Sequence, residues 1–181
     1  MPPPSQTDAA IALGSNLGDR AATIESAFAA LASSPAIILL ASGPVIETAA
    51  VAAPDFLAGS AEVGGITSRI DPGGPYLNSA ALIRTTLTPL DLLARLQQIE
   101  QAHGRTRQPG RRWAPRTLDL DLILYGNQTL SLPGLAVPHP RLQERCFVLA
   151  PLAALAPGWI VPTLGKTVAQ LLAELRPASG I

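Results

Sequence analysis

The chain has 181 residues, 48% of them hydrophobic and 14% charged. That suffices for one packed domain and is too apolar for a disordered tail. Its 13 basic and 13 acidic residues cancel to a formal net charge of zero, which argues against a sequence-independent grip on nucleic acid.

A single cysteine, Cys146, excludes an intrachain disulfide and suits a reducing cytoplasm. Residues 1–8 are Pro-rich and are expected to be loosely held. The apolar stretch Ala9 to Leu13 reads as a short buried strand, too short for a signal peptide or a membrane span. After Gly14-Ser15-Asn16, a helix is expected with Leu17, Ala21, Ile24, Phe28 and Leu31 along one face, stopping near Ser33-Ser34-Pro35. Ile37 to Leu40 reads as a second strand that resumes through Val45 to Thr48. Val51 to Pro75 is rich in Gly, Ala, Pro and Ser and reads as a long surface loop.

Tyr76 to Thr85 returns to a strand. Thr88 then caps a helix with Pro89 in its first turn and Asp91 at its third position. Leu92, Leu96 and Ile99 form its buried stripe, and Gly104 its C-terminal stop. Thr117 to Tyr125 is a strong strand turning at Gly126-Asn127. A helix over about Arg141 to Leu155, a strand near Trp159 to Val161 and a helix through Val168, Leu171, Leu172 and Leu175 complete a single α+β domain spanning 9–176.

Two local patterns carry chemistry. Side chains alternate along a strand, so Leu118, Leu120, Leu122 and Leu124 share a core face while Asp119 and Asp121 point together from the other. Taken alone, the carboxylate pair fits either a charged outer face or a site for a hard cation such as magnesium. The preceding arginines tip the balance. Arg105, Arg107, Arg111, Arg112 and Arg116 fall within twelve positions, in a chain where arginine outnumbers lysine twelve to one. Guanidinium forks beside paired carboxylates suit nucleotide phosphates bridged by a metal. Trp113, inside the cluster, fits a core residue or a wall of the site equally well. His139, between Pro138 and Pro140, is held in a rigid loop that fixes its imidazole. Cys146 reads as a small buried hydrophobe. There is no P-loop, no nucleophile elbow and no zinc-ligand set.

Together these runs resemble the 6-hydroxymethyl-7,8-dihydropterin pyrophosphokinase family. The likeness starts at Ile11-Ala12-Leu13-Gly14-Ser15-Asn16-Leu17-Gly18-Asp19 and continues through Tyr76-Leu77-Asn78-Ser79-Ala80, Ile99-Glu100 and Gly104-Arg105-Thr106-Arg107. Its most specific stretch is Arg112-Trp113-Ala114-Pro115-Arg116-Thr117-Leu118-Asp119-Leu120-Asp121. Val137-Pro138-His139-Pro140-Arg141 and Arg145-Cys146-Phe147-Val148-Leu149 close it.

The resemblance implies a ferredoxin-like antiparallel sheet flanked by helices. It also implies transfer of diphosphate from ATP to the pterin's hydroxymethyl group with release of AMP, a step of folate biosynthesis. Asp119 and Asp121 would hold two Mg2+ ions. Arg105, Arg107, Arg112, Arg116, His139 and Arg145 would contact the nucleotide, with Trp113 beside them, and Arg105 and Arg116 would act in catalysis with the aspartates. Gln97 and Glu100 would face the adenosine end. Tyr76 and Phe147 would stack the pterin, with Asn78 on its edge and Thr48 nearby. ATP and the pterin are the expected partners, with no nucleic acid or membrane, in a cytoplasmic chain that nothing requires to exceed a monomer. Ala114 stands where the family usually has Gly, Ala49-Ala50 replaces a Pro-containing step, and the 51–75 connection is longer than usual, as a lid over the substrates would be.

Overall fold

The computed structural model describes residues 5–49, 74–105 and 117–175. Four strands form its central antiparallel sheet, β1 (Thr7–Ser15), β2 (Ile37–Ser42), β4 (Tyr76–Thr85) and β5 (Asp119–Tyr125), in the order β2-β4-β1-β5. A short strand, β3 (Ile46–Thr48), also pairs with β4. Helix α1 (Arg20–Ala32) joins β1 to β2, and α2 (Pro89–Ala102) follows β4. This is the βαββαβ order of a ferredoxin-like fold. Beyond β5 come a hairpin of β6 (Leu130–Leu132) and β7 (Leu135–Val137), a 3-10 turn at Leu142–Glu144, and α3 (Cys146–Leu155). A hairpin of β8 (Ile160–Val161) and β9 (Lys166–Thr167) leads into α4 (Val168–Leu175).

Strand alternation sorts the core into two layers. Ala9, Ile11 and Leu13 of β1 pack with Ile24 and Leu31 of α1 and with Leu92, Leu96 and Ile99 of α2. Ala10 and Ala12 turn the other way, toward Val148, Leu149 and Leu152 of α3 and Val168 and Leu171 of α4. The sheet is thus covered on both sides, and burial of these apolar faces is the main force holding the layers together.

The starts of α1 and α2 follow their caps. Thr88 caps α2 as expected, its hydroxyl accepting from Asp91 N at 3.2 Å, with Pro89 in the first turn. Gly104 follows the helix at φ +80°, the left-handed geometry that ends it. Helix α1 begins later than its apolar spacing predicts. Gly18 adopts φ +64°, and the Asp19 carboxylate accepts from Ala22 N at 3.0 Å, so Leu17 is left outside the helix and exposed. The single helix expected over Arg141 to Leu155 is two pieces, because Arg145 leaves the helical region at φ −109°, ψ 84°.

Two further expectations are corrected. Leu124 does not share a face with Leu118, Leu120 and Leu122: the register slips between Ala10 and Ile11, and Leu124 joins Ile123 on the α3 side. Cys146 is exposed rather than buried, since it opens α3 two residues before the buried face begins at Val148. Within residues 1–8, Thr7 and Asp8 already belong to β1, opposite Thr85 and Arg84. The expected long loop lies, apart from Gly74 and Pro75, outside the described residues.

Candidate active site

Register builds the floor of the site. Gly14 at the end of β1 stands opposite Asn78 of β4 on one side and Asp119 of β5 on the other, and Ala12 stands between Ala80 and Asp121. All six lie on the sheet face that carries α3. A methyl group built on Gly14 would sit 3.5 Å from Asn78 Oδ1, 3.9 Å from Tyr76 Cδ1 and 4.0 Å from Asp119 Cβ. The missing side chain therefore leaves a low strip between an amide, a phenol ring and a carboxylate.

On the β5 side, each aspartate is matched by an arginine. Arg105 Nη1 donates to Asp119 Oδ1 at 2.6 Å, and Arg145 Nη1 donates to Asp121 Oδ2 at 3.1 Å. Asp119 and Asp121 are only partly covered, so both carboxylates stay reachable from solvent. The Arg145 guanidinium also lies 5.8 Å from the Phe147 ring centre, within cation–π range.

Beneath Arg105 sits Glu100, buried on α2. Its Oε1 receives Arg105 Nη1 and also the backbone N–H of Leu120 at 2.8 Å. A buried carboxylate needs such donors to offset its lost hydration. Through Oε1 Glu100, which the resemblance puts at the adenosine end, ties α2 to β5 and orients Arg105. Gln97, one helical turn earlier, is half-buried on α2.

His139 follows the cis Val137–Pro138 bond, and its backbone N–H donates to Ile123 O at 3.0 Å, fixing the loop against β5. Its Nδ1 accepts the Arg141 backbone N–H at 3.2 Å, which leaves Nε2 to carry the hydrogen of the neutral ring. Burial pushes the imidazole pKa below its ordinary value, and the Arg145 charge pushes it further. Asp121 opposes that shift, Arg141 adds to it, and Asp119 opposes it again.

The β4 side is neutral. Asn78 is buried, and its Nδ2 donates to Thr48 Oγ1 at 2.8 Å, bridging β4 to β3 across 30 positions of sequence. That bond spends one of the two amide hydrogens and leaves the carbonyl oxygen toward Gly14, ready to accept from a ligand.

The fold therefore brings Thr48, Tyr76, Asn78, Arg105, Asp119, Asp121, His139, Arg145 and Phe147 to one end of the α3 face, with Glu100 as support. Arg107, Arg112, Trp113 and Arg116 lie outside the described residues. Gly14 and Arg20 carry contacts that no motif reading assigned. The signal for Gly14 was available, since a glycine inside a strand marks a close approach.

No cluster of three or more acidic, His or Cys side chains that could hold a metal occurs among the described residues. Two partly exposed carboxylates two positions apart, each already matched by a cation, nevertheless fit magnesium. That ion takes one or two protein carboxylates and completes its shell with water and phosphate oxygens.

A ferredoxin-like sheet with a carboxylate–arginine wall facing a hydrogen-bonding wall defines a phosphoryl-transfer class of site. The profile of the 7,8-dihydro-6-hydroxymethylpterin-pyrophosphokinase family matches residues 10–157. The chain belongs to that family of ATP-dependent pyrophosphokinases. It is 40% identical over 176 residues to the 2-amino-4-hydroxy-6-hydroxymethyldihydropteridine pyrophosphokinase of Pseudomonas aeruginosa, covering 94% of this chain and 93% of that protein. The enzyme of the same name from Methylorubrum extorquens is 39% identical over 180 residues, covering 97% of both. The one from Synechocystis is 47% identical over 104 residues, which span 58% of this chain and 52% of that protein.

Among solved structures, an HPPK-DHPS in complex with substrates superposes with a TM-score of 0.66 at 13% identity, over 93% of this chain and 43% of that one. Plasmodium falciparum HPPK-DHPS with pterin and p-hydroxybenzoate gives 0.67 at 14%, over 96% and 44%. These likenesses establish the fold, and the chain spans under half the length of those proteins.

Proposed function

We propose that this chain transfers diphosphate from ATP to the hydroxymethyl oxygen of 6-hydroxymethyl-7,8-dihydropterin and releases AMP, a step of folate biosynthesis. The observation that carries the reading is the pair Asp119 and Asp121, each held by an arginine, one strand away from the Asn78–Thr48 pair across the Gly14 strip. Names carried by relatives aligned over nearly the whole chain support the same acceptor.

In this reaction the acceptor oxygen forms a bond to the β-phosphorus of ATP. The bond from that phosphorus to the oxygen bridging to the α-phosphate breaks, and AMP leaves with its electron pair while the hydroxyl proton is lost to water. Little covalent work falls to the protein, so positioning and charge stabilisation dominate. Two Mg2+ ions held by Asp119 and Asp121 would neutralise phosphate charge when bound. Arg105 and Arg145, now on the carboxylates, have donors to offer the phosphates once a stronger cation takes their place. His139, neutral and with hydrogen on Nε2, donates to a phosphate oxygen without adding charge. We assign Arg107, Arg112, Arg116 and Trp113 to the nucleotide on the family resemblance alone, with Gln97 toward the adenosine.

Across the strip, Asn78 Oδ1 accepts from the acceptor's amide edge, and Tyr76 and Phe147 provide ring surfaces for stacking. No helix of the described residues is long and apolar enough to cross a membrane. We assign the enzyme to the cytoplasm on the strength of its single cysteine, and take a monomer as the working unit.

Nucleotide product analysis with magnesium, ATP and the pterin alcohol tests the proposal. AMP formed one-for-one with a pterin diphosphate is expected. ADP in its place overturns diphosphate transfer, and a product that does not depend on the pterin overturns the acceptor.

A further inference from the structure

Acceptor recognition, as read above, depends on two strands that meet only briefly. β3 pairs with β4 at three positions, Ile46 with Asn78, Glu47 with Leu77 and Thr48 with Tyr76. The chain leaves the described residues just after Thr48 and returns just before Tyr76. Every group assigned to the acceptor on this side, Thr48, Tyr76 and Asn78, lies within that short ladder. Short edge pairings of this kind are where sheets open first.

Arg20 closes the open end of the ladder. Its Nη1 donates to Pro75 O at 2.6 Å and lies 3.0 Å from Glu47 Oε2. Pro75 immediately precedes β4, and Glu47 sits beside Thr48 on β3. One nitrogen therefore grips both strand stems. Arg20 is itself fixed, because it is the first residue of α1, directly behind the Asp19 cap. Alternation puts Glu47 on the face opposite Thr48, and Leu77, its partner on β4, packs in the α1–α2 layer. The grip therefore comes from the back of the sheet, while the acceptor groups face the front.

We infer that Arg20 is a positioning residue for the acceptor. It holds β3 against β4 so that Thr48 keeps Asn78 aimed over Gly14, and it does so without touching the substrate. The inference rests on the assignment of Asn78 and Thr48 to the acceptor. Stability is a minor part of its role, since partly exposed ion pairs contribute little to folding. Register and amide orientation, by contrast, depend on both stems being held.

The test compares Arg20→Gln, Glu47→Gln and the double variant with Asn78→Ala. It reads KM for the pterin, affinity for a non-hydrolysable ATP analogue and the melting temperature. Arg20→Gln is expected to raise the pterin KM about tenfold, with analogue affinity and melting little changed, since what is lost is uniform binding of one substrate. Glu47→Gln moves the same way. The double variant is no worse than Arg20→Gln alone, the signature of two groups acting as one unit. An unchanged pterin KM in Arg20→Gln, beside a raised one in Asn78→Ala, overturns the role of Arg20 alone. An unchanged KM in Asn78→Ala overturns the acceptor assignment and the inference with it. Equal losses of pterin and analogue binding in Arg20→Gln reduce the contact to general structural support and also overturn it.

Discussion

The two walls beside the Gly14 strip are built on different principles. On the β5 side, opposite charges meet: Arg105 with Glu100 and Asp119, and Arg145 with Asp121, among groups that are buried or partly covered. On the β4 side, one neutral hydrogen bond from Asn78 to Thr48 does the orienting, and rings supply the rest. The first wall suits a ligand that brings charge of its own, because each ion pair can be exchanged for a metal–phosphate contact. The second suits a flat, neutral ligand read by its edge and its faces. What separates them is a strip of strand with little side chain on this face, Gly14 with none and Ala12 with a methyl.

Striking the charged wall should have the largest effect. Asp121→Ala is expected to lower turnover by about 10³-fold or more, because charge stabilisation in the transition state is lost. Binding of the pterin alone should persist, since the opposite wall is untouched. A folded variant with near-normal turnover would remove the metal assignment. Equal loss of both binding functions would erase the distinction between the walls.

Next comes the support under that wall. Glu100→Ala strands the Leu120 N–H and leaves Arg105 with Asp119 alone. Breaking a buried ion pair from one side costs about 3 kcal/mol or more. At about 2–4 °C per kcal/mol for a chain of this size, that is a melting drop on the order of 10 °C. A melting temperature within about 2 °C of the parent would show that Glu100 serves the ligand rather than the fold.

How much of this was legible in the sequence differs between the walls for the same physical reason. The carboxylates of β5 were readable because strand alternation is local, and Asp119 and Asp121 do share a face. Leu124 was misassigned because a register slip against β1 is set by the partner strand, which no pattern within β5 records. For Glu100 the resemblance names a residue and a ligand role, and its part in the fold is silent in the sequence. The backbone N–H of Leu120, which claims its carboxylate, is 20 positions away. Arg20 went unread because its partners, Glu47 and Pro75, meet only when β3 folds against β4. Periodicity and caps thus sufficed for the layers and for most helix ends, and pairings across elements remained for the structure to supply.

The strip between the walls offers a sharper comparison. Gly14→Ala places a methyl at ordinary contact distance from Asn78, Tyr76 and Asp119, with no clash to relieve. The fold should therefore hold, and the strand is better served by alanine than by glycine. The strip, however, loses its lowest point. We expect the pterin KM to rise about tenfold while ATP-analogue binding changes little. If the analogue suffers more than the pterin, the strip belongs to the nucleotide side and the division between the walls must be redrawn.

The smallest effect concerns His139, where the charged wall meets a buried ring. Its pKa lies below the ordinary 6.5, with burial the leading cause and the Arg145 charge next. Between that depressed value and 6.5, the unfolded chain binds more protons than the folded one, so stability falls as the proton concentration rises. The contribution is complete above pH 6.5 and is lost as pH drops through the folded-state value. The melting temperature of the parent should decline through this window in a way that His139→Gln does not share, since glutamine carries no proton there. Carboxylates titrate mainly below it, so the comparison is cleanest above about pH 5. Parallel curves for parent and variant would mean that His139 accepts its proton in place. Below pH 6.5 the ring would then meet the phosphates as a cation, and in that range the charged wall would carry one more positive group than its neutral form provides.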